Sequence, residues 1–122
     1  MAGSSDVVER GFVTYTNEAK HDMLGVDAAL IKTAGAVSED VVRAMAAGAL
    51  AHSNAQIAVA VTGIAGPGGG TADKPVGLVH IAAARDDAET LLESHVFAGG
   101  REAVRMQAVA AALALVRCRV DK

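Results

Sequence analysis

Cysteine occurs once, at Cys118, so neither an intramolecular disulfide nor a cysteine-based zinc cluster can be built. A lone thiol is compatible with a reducing, cytoplasmic setting. Tryptophan is absent, and Phe12, Tyr15 and Phe97 are the only aromatic residues. Ala, Val, Leu and Ile must therefore fill the core, which favours close approach of its elements. No basic run exists that could track a phosphate backbone, and 11 basic against 14 acidic residues leave a net charge of -3, so nucleic acid is a poor partner. The longest apolar stretch, around 108–116, is too short for a membrane span, and the first residues lack the charged and apolar regions of a signal peptide. The expectation is a soluble protein that is not exported and has no membrane partner.

What is present suits one folded domain. A chain of 122 residues, 52% hydrophobic and 20% charged, is long enough for a core and too short for two ordinary domains. The apolar period changes several times along it. "GFVTYT" (11–16) alternates and is rich in β-formers, so it predicts a strand. "NEAKHDML" follows with helix formers, Asn17 as a possible N-cap and Gly25 as a stop; a second short helix is expected from Asp27 to Gly35. Ser38 caps the clearest helix, whose Glu39 and Asp40 suit the N-terminal dipole and whose Val41, Val42, Met45, Ala46, Ala49 and Leu50 form one stripe, running to about His52.

"QIAVAVTG" (56–63) is an almost unbroken β-type run, the pattern of a strand covered on both faces. "VGLVHIAAA" (76–84) and "ETLLESHVFA" (89–98) read as two more strands joined across the short polar "RDDA". A last helix is expected from Arg101 to about Arg119. Strand, helices, three strands and a helix imply an α/β layered domain, a three-layer α/β/α sandwich with a mixed sheet.

Residues 61–77, "VTGIAGPGGGTADKPVG", hold both prolines and follow directly on a strand, where an open α/β sheet places its ligand sites. Gly66, Gly68, Gly69 and Gly70 would let backbone amides approach an anion, and Thr62 adds a hydroxyl. Neither a P-loop ending nor a proper G-x-G-x-x-G is present, so on spacing alone a surface loop is as good a reading as an anion cradle. Asp73 and Lys74 read as a solvated turn that could line a pocket. His21, His52, His80 and His95 lack paired metal-ligand spacing and read as structural; Met23 and Met45 read as core. Taken singly, Tyr15 is a half-buried packing residue and Lys20 a solvated charge.

Three stretches alter that weighting. "RGFVTYTNEAKHDMLGV", "GAVSEDVVRAMAAGAL" and "AVAVTGIAGPGGGTADKPVGLVHIA" resemble the C-terminal domain of the CinA family, over nearly the whole chain. The resemblance implies an α/β/α sandwich that hydrolyses the carboxamide of nicotinamide mononucleotide to nicotinate mononucleotide and ammonia, without cofactor or metal. It implies Tyr15 and Lys20 as the proton-handling pair, and Thr62, Gly63, Gly66, Gly68 and Gly69 as the part that holds substrate or oxyanion. Arg101 and Arg105 of "FAGGREAVR" become candidates for the substrate phosphate, with Gly100 where the family usually has aspartate. A homo-oligomer is expected.

The family's nucleophilic serine lies in a Glu-Ser-Cys-Thr-Gly-Gly motif on a strand-helix unit that precedes a stretch similar to "AGSSDVVERG". That motif does not occur in these 122 residues, and Ser4 and Ser5 match a connecting loop. The first strand-helix unit is therefore expected to be missing. Two functions follow as alternatives: an amidase domain when complete, or a non-catalytic module that binds nucleotide or pairs with another subunit.

Overall fold

The computed structural model describes Gly3 and residues 6–120. Three helices come first: α1 (Asn17–Leu24), α2 (Ala28–Ala34) and α3 (Glu39–Ala51). The strands β1 (Ile57–Gly63), β2 (Leu78–Arg85) and β3 (Ala88–Val96) follow, and α4 (Arg101–Val120) closes the chain. Local chemistry sets most of these limits. The Thr16 hydroxyl, rather than Asn17, caps α1 by accepting from the Ala19 amide, and Gly25 ends it in the left-handed region at φ 69°. Ser38 caps α3 by accepting from the Val41 amide, with Glu39 and Asp40 in its first turn.

The sheet has the order β1-β2-β3, and both pairings are antiparallel. The α/β class is as expected, but the mixed sheet is not seen among the described residues. The 11–16 strand is also absent: residues 8–15 make no ladder, because β1's outer edge and this stretch face each other across a cavity instead of pairing. A β-type pattern does not become a strand without a neighbour to bond to.

Two clusters sandwich the sheet. On one face, Leu24, Val26, Ile31, Val41, Val42 and Met45 of the first three helices pack against Ala60, Ala82 and Ala84. On the other, Val104, Ala112 and Leu115 of α4 cover Val79, Ile81 and Ala83. The small strand residues let both helix layers come close, which a chain nearly free of aromatics requires. Gly48 shows how close: a Cβ there would lie 1.9 Å from the Leu24 carbonyl oxygen. Met45 belongs to the core as expected, whereas Met23 is exposed. The helix layers do not cover all of β1, for Val59 and Val61 remain 40% and 41% exposed. That overturns the double-sided burial its sequence suggests.

Candidate functional site

Lys20 is one of the few polar or charged side chains buried among the described residues, with Thr62 and Arg119. It lies in α1, and the Thr16 cap sets the start of that helix directly after the extended 8–15 stretch. The geometry turns the lysine inward, leaving it 6% exposed, with Nζ donating to the Thr14 carbonyl at 2.8 Å. No carboxylate pairs with it among the described residues. Loss of hydration without a compensating anion pushes its proton affinity below that of an ordinary lysine.

Thr62 stands at the end of β1, 8% exposed, and its hydroxyl donates to the Ala36 carbonyl at 2.8 Å. The hydroxyl's single proton is thereby committed, and what remains to offer is an acceptor lone pair. Tyr15 is 89% exposed, so the half-buried packing reading does not hold. Tyr15, Lys20, Thr62 and Gly63 nevertheless line one cavity of about 1160 Å³, which continues between residues 6–15 and β1.

The remaining expected site residues lie elsewhere. Gly66, Gly68, Gly69, Arg101 and Arg105 are not among the walls of that cavity. Arg101 Nη1 donates to the Gly66 carbonyl at 3.0 Å, joining the start of α4 to the glycine-rich loop, while Arg105 is exposed. Packing explains part of the glycine run. A Cβ on Gly66, at φ 86°, would meet Val76 Cγ1 at 2.6 Å, and one on Gly70 would meet the Val76 backbone nitrogen at 2.7 Å. Gly68 has open space around it. Lys74 is no solvated turn residue: its Nζ donates to the Ala34 carbonyl at 2.7 Å and pins the loop to the end of α2. Ser4 and Ser5 lie outside the described residues.

A polar row crosses the sheet beside Thr62. Thr62 pairs with His80, and His80 with Ser94, across the three strands. His80 Nδ1 lies 2.7 Å from Ser94 Oγ, which donates to Glu39 Oε1 at 3.3 Å. Burial lowers the proton affinity of His80, with Glu39 opposing and Lys74 reinforcing that shift. The sequence reading of His80 as structural missed this row. Its only trace in the sequence is the in-register spacing of polar residues within apolar strands.

Fold and site together define a layered α/β domain whose edge strand ends at a buried, unpaired lysine. The chain belongs to the CinA C-terminal domain family, whose sequence profile matches residues 1–120. It is 53% identical over 108 residues to a protein of Enterobacter agglomerans named nicotinamide-nucleotide amidohydrolase PncC, covering 88% of this chain and 66% of that one. A CinA-like protein of Syntrophobacter fumaroxidans is 49% identical over 116 residues, with 95% of this chain and 27% of that protein covered. The chain thus spans about two thirds of the shorter relative and about a quarter of the longer one. The crystal structure of the competence/damage inducible protein CihA from Agrobacterium tumefaciens superposes with a TM-score of 0.95 at 52% identity, covering 97% of this chain and 72% of that one. Among the described residues no helix is long and apolar enough to cross a membrane.

Proposed function

We propose that this chain carries the base and the substrate-holding side of a nicotinamide-nucleotide amidase site. The reaction is replacement of the carboxamide nitrogen of nicotinamide mononucleotide by water oxygen, giving nicotinate mononucleotide and ammonia. The observation that carries the reading is the buried Lys20 amine, without a carboxylate partner, in the cavity that Tyr15 and Thr62 also line. Burial makes the Lys20 amine release its proton more readily than an ordinary lysine, and the neutral amine can accept a proton from a nucleophile and return it to the departing nitrogen. The names of the Enterobacter agglomerans and Escherichia coli relatives support the same reading.

Each neighbouring group has a role consistent with its geometry. Tyr15, at the cavity rim, extends the proton path from Lys20. Thr62 accepts from the substrate's carboxamide N–H, since its own proton is held by Ala36. Stabilisation of the oxyanion then falls to the backbone amide of Gly63, the last residue of this strand to line the cavity. Arg101 and Arg105 lie outside the walls of this cavity, and their assignment to the nucleotide phosphate rests on the family resemblance alone.

Acyl transfer also needs a nucleophile, and the Glu-Ser-Cys-Thr-Gly-Gly motif does not occur in this sequence. Loss of a nucleophile costs on the order of 10⁶ in turnover while binding survives. The test is ammonia release from nicotinamide mononucleotide by three proteins: this chain, the chain extended by the family segment bearing the serine motif, and the extended chain carrying Lys20→Ala. Only the second should be fully active, and the third should lose kcat far more than it gains in KM. Full activity of the first would refute the nucleophile argument, and full activity of the third would refute the role of Lys20. An extended chain that binds the nucleotide but releases no ammonia would make the domain a binding module.

A further inference from the structure

A second cavity, of about 450 Å³, lies between β3 and the last turns of α4, and it shares no wall residue with the cavity that holds Lys20. Its size is that of small-molecule sites, roughly 300–1,000 Å³. Leu91 and Leu92 of β3 and Leu115 of α4 give it apolar walls. Arg119, one helical turn beyond Leu115, also lines it.

That arginine is 7% exposed. Its Nη1 donates to the Glu89 carbonyl, and its own carbonyl accepts from Arg85 Nη1 at 3.2 Å, so the end of α4 is fastened to the β2–β3 hairpin. The opposite edge of the guanidinium is left over. Nε is sealed from water and has no hydrogen-bond partner among the described residues, while Nη2 beside it is not sealed. No carboxylate forms an ion pair with this group among the described residues. Lys20 and Arg119 are thus both buried cations without an acid, but their chemistry differs. A lysine answers desolvation by releasing its proton, whereas a guanidinium keeps its charge and needs an anion.

The surroundings narrow the choice of anion. The Nε–Nη2 edge of a guanidinium presents two parallel N–H groups, which match the two oxygens of a carboxylate. Glu89 and Glu93 also stand in the cavity wall, the first exposed and the second paired with His95 Nε2 at 2.8 Å. Their charges disfavour a dianion more than a monoanion. Three leucines require an apolar body behind the charge. We infer that this cavity binds a small monocarboxylate with an apolar body, its oxygens on the Nε–Nη2 edge of Arg119 and its body against Leu91, Leu92 and Leu115.

The experiment uses the 122-residue chain with hexanoate as the probe, and hexanamide, acetate and inorganic phosphate for comparison. Two signals report on the site without any substitution. One is the Arg119 Nε–H resonance; the other is the rate at which a neutral thiol reagent alkylates Cys118, the only cysteine and part of the cavity wall. Hexanoate should shift the resonance saturably and, at ten times its Kd, slow alkylation by about threefold to tenfold, the upper figure being set by occupancy. Each methylene between acetate and hexanoate should tighten binding about fourfold. Hexanamide, which lacks the charge, and phosphate, which lacks the body, should each bind at least about tenfold more weakly. Arg119→Met should abolish binding. Glu89→Gln alters only an exposed side chain, keeps the carbonyl that holds Nη1, and should tighten hexanoate about two- to fivefold, which tests the site even if the arginine variant fails to fold. An unmoved Nε–H resonance, equal binding of hexanamide, undiminished affinity in Arg119→Met or no gain in Glu89→Gln would each overturn the proposal. Binding that appears only in Asp121→Asn would assign the arginine to a carboxylate at the chain's own end, and would overturn it as well.

Discussion

Gly48→Ala is a substitution that helix propensity and tertiary packing judge oppositely. Alanine in place of glycine inside an exposed helix is worth about 1 kcal/mol of stability. Gly48, however, lies where α3 crosses the end of α1. The new Cβ would sit 1.9 Å from the Leu24 carbonyl oxygen, 2.8 Å from its carbon and 3.1 Å from its Cβ. The first of these cannot be relieved by rotating a side chain, because the obstacle is backbone. α1 must move by more than an ångström, and overpacking of that severity costs roughly 3 kcal/mol. The net expectation is a loss of about 2 kcal/mol, which for a domain of this size lowers Tm by roughly 6–10 °C. Since α1 carries Lys20, the same shift should disturb the lysine's hydrogen bond to Thr14. Thermal unfolding followed by circular dichroism gives the number directly. A Tm equal to or above that of the parent would show that the α1–α3 contact is looser than described and that propensity decides.

Thr62→Val keeps the shape of a buried residue but leaves the Ala36 carbonyl without its donor, and should cost about 1–3 kcal/mol in urea unfolding; an unchanged midpoint would mean that water replaces the hydroxyl. Lys20 should leave a mark on the pH dependence of stability. Its folded-state proton affinity is lowered by burial, so between the folded value and the ordinary lysine value the unfolded chain holds more protons. Stability should therefore rise with pH across that window, and Lys20→Met should flatten the rise; identical slopes in the two proteins would place the amine in water.

The local features of the chain were legible without any structure. Ser38 with Glu39 and Asp40 marks the start of α3, Gly25 marks the end of α1, and the two apolar runs ending near Gly63 and Ala84 become β1 and β2, because caps, dipoles and side-chain period act over a few residues. The match of "YTNEAK" and "VTGIAGPGGG" to a family could likewise be read from the sequence. Tertiary structure alone decided the rest. Whether "GFVTYT" is a strand depends on a neighbour that its own residues cannot supply, and the burial of β1 depends on how far the two helix layers reach across it. On spacing the glycine-rich block read equally as a surface loop or an anion cradle, and only the fold shows that Gly66 and Gly70 are packed against Val76, six to ten residues away by chain. Lys20 reads as one more polar residue on a short helix; only its burial in the fold, with Nζ bonded to the Thr14 carbonyl, removes it from water and changes its chemistry. Sequence records the short-range preferences of each residue, whereas desolvation and exposure are properties of what the other elements place around it.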